Sequence, residues 1–150
     1  MKLAEALILR ADLQTRLEEL RNRLNLNAKV QEGEKPAEEP ADLLKELDEL
    51  LTRLEDVMGR INLTNAATVT DGTSLTEKLA RRDCLMQRIS MLRSLLSSAA
   101  GTVMRGSRME VKVYSTVNVA QLQKQVDKLS EELRLLDTAI QGLNWTTDLK

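Results

Sequence analysis

Apolar residues recur from Leu3 onward at alternating steps of three and four: Leu3, Ala6, Leu13, Leu17, Leu20 and Leu24, with Arg10 the one charged member of the series. That repeat predicts an amphipathic helix over 3–28 with a coiled-coil-like seam. A second series, Leu43, Leu47, Leu50, Leu54, Val57 and Ile61, predicts a helix over 41–61. It is flanked by Leu44, Leu51 and Met58, a stripe broad enough to face a core. A third helix is predicted over 75–100, with an apolar face of Leu75, Leu79, Leu85, Met86, Ile89, Leu92, Leu95 and Leu96 interrupted by Arg82. A fourth covers 119–143 on the seam Leu122, Val126, Leu129, Leu133, Leu136, Ile140 and Leu143.

The segments between these helices lose the period. Gly33, Pro36 and Pro40 stand amid charge at 29–40, predicting a mobile loop before the second helix. Residues 62–73 are rich in Thr and Asn, which disfavour helix, and Asp71-Gly72 is a strong turn signal with room for short extended segments around it. From Met109 the period becomes two: Val111, Val113 and Val117 alternate with Lys112, Tyr114 and Thr116. That alternation predicts a half-buried strand, with Gly106-Ser107 able to turn it into a hairpin. Ser74 with Glu77, and Asn118 with Gln121, read as starts for the third and fourth helices. Trp145, just past the last seam position, is expected to cap a core. The fold class is therefore mainly α: a bundle of about four long amphipathic helices with a small β hairpin or strand element, in a single domain over 1–150.

Composition sharpens this. The chain has no Phe, one Tyr and one Trp, so its core is built from Leu, Ile, Val, Met and Ala. The absence of His removes the commonest general base and metal ligand. One Cys excludes a thiolate zinc site and an intrachain disulfide, and Cys84, in an apolar stretch, is expected to be a buried hydrophobe. Glu46, Asp48, Glu49, Glu55 and Asp56 lie mostly off the apolar seam, as a solvated face does. No catalytic residue, cofactor or metal site is predicted, and the chain is not expected to be an enzyme. A carboxylate-dependent enzyme ranks third among the functional readings.

Net charge is −1, but charge is segregated. Residues 31–56 carry ten acidic and three basic side chains, while 74–113 carry eight basic and three acidic. The two stretches either meet within one chain, meet between two copies, or stand apart as solvated charged faces. Arg81, Arg82, Arg88, Arg93, Arg105, Arg108 and Lys112 form a basic strip without the aromatic residues that stack on unpaired bases, so no nucleic-acid partner is expected. No segment approaches a membrane span or a secretory signal, so a cytoplasmic protein without membrane association is expected.

Several segments carry a family resemblance. They are Met-Lys-Leu-Ala-Glu-Ala-Leu-Ile-Leu-Arg-Ala-Asp-Leu-Gln at the start, Asn-Ala-Lys-Val-Gln-Glu-Gly at 27–33 and Thr-Asn-Ala-Ala-Thr at 64–68. Leu-Ala-Arg-Arg-Asp at 79–83, Ser-Thr-Val at 115–117 and Leu-Asn-Trp-Thr-Thr-Asp-Leu at 143–149 complete the set. Together they resemble the septicolysin-like family of bacterial proteins of unknown function. The resemblance implies a bacterial, helical, self-associating protein, and its label suggests a membrane-active cytolysin, the second reading.

The first reading is a structural or interaction protein that self-associates. A helix over 75–100 is about 39 Å long, so in an up-and-down bundle the extended segments at its two ends cannot pair within one chain. An isolated hairpin is marginal in water and its edges invite pairing. The candidate oligomer contacts are Val111, Val113, Val117 and Tyr114, and the expected partner is a second copy, as a dimer or a multiple of one.

Overall fold

A computed structural model of the protein describes residues 1–100 and 111–150. It contains four long helices: α1 (Leu3–Leu26), α2 (Pro40–Ala67), α3 (Leu75–Ala100) and α4 (Val119–Thr146). Between α2 and α3 lies a two-stranded antiparallel hairpin, β1 (Val69–Thr70) and β2 (Thr73–Ser74). The architecture is mainly α with a small β element. The chain divides into two compact units, Met1–Leu75 with Gly142–Lys150, and Thr76–Gln141.

The first unit is organised by the seams of α1 and α2. Leu3, Ala6, Leu13 and Leu20 are buried on α1, and Leu43, Leu50, Val57 and Ile61 on α2. Burying one such side chain is worth about 1.5–3 kcal/mol, more than the roughly 0–1 kcal/mol of a surface ion pair. The seam therefore sets the pairing. The helices run antiparallel: Arg23, late in α1, pairs with Glu46, early in α2. At the other end the 147–150 tail joins both helices. Leu3 N–H donates to the Thr147 carbonyl (2.9 Å), Leu149 N–H to that of Met1 (2.9 Å), and Lys150 N–H to the Thr64 hydroxyl (3.0 Å).

α2 runs through the Thr- and Asn-rich segment at 62–67 that sequence reasoning places outside it. The reason lies in the threonines. The Thr64 hydroxyl donates to the Arg60 carbonyl (2.7 Å) and the Thr68 hydroxyl to that of Thr64 (2.8 Å). Thr64 is 1% exposed, continuing the seam beyond Ile61. Tertiary burial outweighs a weak local propensity. The helix then gives way to the hairpin, whose register is Val69 opposite Ser74 and Thr70 opposite Thr73. Asp71 (φ 53°) and Gly72 (φ 74°) form the two-residue turn, both left-handed, as its twist requires.

In the second unit Leu85, Ile89 and Leu96 of α3 and Val126 of α4 form a buried cluster, packed by Leu92, Leu122, Leu129 and Leu133. Asn118 caps α4, its side-chain oxygen accepting from Gln121 N–H (3.1 Å). Met86 and Leu95, expected on the apolar face, are about half exposed, because the cluster covers only the line through 85, 89, 92 and 96. Cys84 is exposed rather than buried, one residue and thus about 100° around the helix from Leu85. Trp145 lies inside α4 and is 57% exposed, so it does not cap a core.

The strand predicted at 109–117 is corrected. Residues 111–117 form no strand, and the small β element sits at 69–74 instead. Alternating valines make a strand only where another strand supplies hydrogen bonds. Here Ser115 makes a local turn: its hydroxyl donates to the Val117 carbonyl (2.8 Å) and accepts from Val117 N–H (3.2 Å). The predicted turn at Gly106-Ser107 lies outside the described residues, as does the start of the predicted strand.

Candidate interaction surface

The outward face of α2 carries a line of uncovered side chains. Leu44, Leu51 and Met58, seven residues apart, are 51%, 46% and 41% exposed. Asp48 and Glu55 fall between them, also exposed, so the stripe reads apolar, acidic, apolar, acidic, apolar. Seam spacing marks Leu44, Leu51 and Met58 as core, yet one neighbouring helix covers only the inner line. They are the residues sequence reasoning placed wrongly in the core, and their heptad spacing was the available signal.

On the second unit a groove of about 560 Å³ opens between α3 and α4. Met86, Ile89 and Leu133 make its floor, and Arg82, Arg93 and Arg134 its charged margin, with Asp83, Ser130 and Asp137. Arg82 is already engaged, by Asp83 at 3.1 Å and Asp137 at 3.8 Å. Arg81 pairs with Glu132. Among the described residues Arg93 reaches only the Ser130 hydroxyl, at 3.4 Å. Among the described residues, neither Arg93 nor Arg134 has a carboxylate within 4 Å. Of the predicted basic strip, Arg82 and Arg93 thus enter the groove, Arg88 and Lys112 are exposed, and Arg105 and Arg108 lie outside the described residues. Arg134 and Ser130 were missed because they sit on α4, where no basic run draws attention to them.

The candidate contacts at 111–117 come together only in part. Val111, Val113 and Tyr114 are 67%, 70% and 76% exposed, and Val117 is half-buried. Val113, Tyr114 and Val117 line a shallow hollow of about 220 Å³ with Leu95, Ser98 and Ala99 of α3.

A second polar cluster fastens the loop between α1 and α2. The Arg23 guanidinium binds Glu38 (2.6 Å) and Glu46 (3.2 Å). Asn27, buried, donates to the Arg23 carbonyl (2.8 Å) and accepts from Glu38 N–H (3.0 Å). The hydrogen bonds from Arg23 hold the Glu38 carboxyl below the usual carboxylate range. A depressed value means that this contribution is present above the ordinary pKa and is lost as pH falls through the folded one. The protection of the Glu38 amide, its exchange relative to an unstructured peptide at the same pH, is therefore expected to fall below about pH 4. A Glu38→Gln variant should be poorly protected throughout, and undiminished protection in wild type down to pH 2 would contradict the clasp.

The acidic side chains do not gather. Glu46 is bound to Arg23, Asp56 lies 3.8 Å from Arg60, and Asp48, Glu49 and Glu55 face solvent. Among the described residues no group of three acidic or Cys side chains is placed to hold a metal ion. None of the described helices is long and apolar enough to cross a membrane.

Comparison with known proteins settles the family. A model of the family of unknown function DUF6847 matches residues 10–149. The chain belongs to that family. The resemblance to septicolysin-like proteins is corrected by this match: the segments behind it are short, and from 27 onward they fall inside the region that DUF6847 covers. A functionally unknown conserved protein from Corynebacterium diphtheriae, known from its crystal structure, is 41% identical. That similarity covers 100% of this chain and 99% of the other, with a TM-score of 0.94. No curated protein matches the chain.

Proposed function

We propose that this DUF6847 chain is a non-catalytic structural or interaction protein of the cytoplasm that works by self-association. One observation carries the reading: Leu44, Leu51 and Met58 stand half exposed in a line along α2. Scattered surface apolar residues need no explanation, but a heptad line is the pattern by which helices recognise helices. The exposed Val111, Val113 and Tyr114 add a second apolar segment, and with Val117 they are proposed as further contacts between copies. The partner is a second copy of the chain, in a symmetric dimer or a multiple of one.

Sedimentation velocity at micromolar concentration tests this. Wild type is expected to sediment as an oligomer, and Leu51→Lys and Val113→Lys are expected to shift it toward monomer. Leu135→Lys, an exposed change on α4 outside the groove, should leave it unchanged. Equal association of all four proteins would overturn the reading.

A further inference from the structure

We infer that the α3–α4 groove of one copy receives the outward face of α2 from a second copy. The inference rests on the self-association proposed above and names its site. The two surfaces match in chemistry. The α2 face is apolar and acidic; the groove is apolar with three arginines and two aspartates, and both aspartates are held by Arg82, which leaves Arg93 and Arg134 as its outward charge. Leu51 would sit over Met86, Ile89 and Leu133, while Asp48 and Glu55 would face Arg93 and Arg134.

Spacing is compatible with the match. Arg93 contacts Ser130 of α4, and Arg134 stands four residues further along, about 6 Å by helix rise. Asp48 and Glu55 are seven residues apart, about 10 Å, so the two acids bracket the span between the two guanidinium groups, neither of which has a carboxylate within 4 Å among the described residues. That span borders the stretch of floor that one Leu of the stripe would cover. The ion pairs of the chain leave this complementarity unused. Glu46 is bound to Arg23 and Asp56 pairs with Arg60, whereas Arg81 and Arg82 use Glu132, Asp83 and Asp137. Asp48 and Glu55 remain exposed on one surface, and Arg93 and Arg134 on the other. Apolar contact supplies the affinity, and the charges supply register and rate.

Charge exchange tests the inference in the full-length chain. One variant carries Arg93→Glu and Arg134→Glu, the other Asp48→Lys and Glu55→Lys. All four side chains are exposed, so each variant is expected to keep the wild-type helical circular dichroism and melting. Each alone should self-associate at least about tenfold more weakly than wild type, because both reciprocal contacts become repulsive. Mixed, the two variants should recover wild-type association as a heteromer, because both contacts then pair opposite charges. Variants that associate as wild type does, or a mixture that stays dissociated while wild type associates, would overturn the docking site and leave self-association standing. A monomeric wild type would overturn self-association, and the docking site with it.

Discussion

Leu13→Ala and Leu20→Ala should each destabilise the protein by about 2–5 kcal/mol, the range for truncating a fully buried leucine. Both residues are 0% exposed at the middle of the α1 seam. Removing three heavy atoms there forfeits apolar burial and leaves a void between α1 and α2 that two long helices can close only in part. Leu44→Ala is the control. It is the same chemical change on the outward line of α2, where half the side chain already meets water. At concentrations low enough to suppress association it should cost less than about 1 kcal/mol. Denaturant unfolding at fixed protein concentration reads both values. Equal costs at Leu13 and Leu44 would mean that the α2 line is covered within the chain, which would remove the basis of the proposed interface.

The contrast between Leu13 and Leu44 also marks how far the sequence could be read. The inner seams of α1, α2 and α4 follow directly from spacing, because a buried helix stripe needs a sustained apolar series, interrupted in α1 at Arg10. Leu44, Leu51 and Met58 obey the same spacing, and their exposure depends on how many neighbours surround α2, which one-dimensional periodicity does not contain. Cys84 fails in the same way: Leu85 and Met86 follow it, but it lies one residue off the line that packs. The valines at 111–117 alternate as a strand does, yet a strand exists only when another pairs with it. At 69–74 the signal was local, since Asp71-Gly72 is a turn that few other residue pairs can make. The groove was legible only in half. Arg82 and Arg93 stand in a visible basic run, whereas Arg134 and Ser130 join them only once α4 folds beside α3.

That turn underlies the second large effect. Gly72 holds φ at 74°, a conformation that an L side chain adopts at a cost of about 1–2 kcal/mol. A Cβ there would meet nothing within 4 Å, so the penalty is one of backbone conformation and not of collision. Gly72→Ala should therefore destabilise by about 1 kcal/mol, Gly72→Val by more, up to about 3 kcal/mol, and Gly72→Asn least of the three. Gly59 supplies a control of opposite sign. It lies inside α2, also with nothing within 4 Å of a new Cβ, and Gly59→Ala should stabilise by about 0.5–1 kcal/mol. Thermal melting separates the two. A stabilising Gly72→Ala would contradict the left-handed turn, and with it the register of Val69 opposite Ser74.

The proposed function requires that the chain complete its surfaces with a second copy of itself. The most direct measurement is the native mass of the purified protein by light scattering at micromolar concentration. One chain weighs 16.9 kDa. A symmetric pair would weigh about 34 kDa, and larger assemblies would be multiples of that. A mass at or above the pair is expected. A mass of one chain, unchanged as the concentration rises, would contradict it.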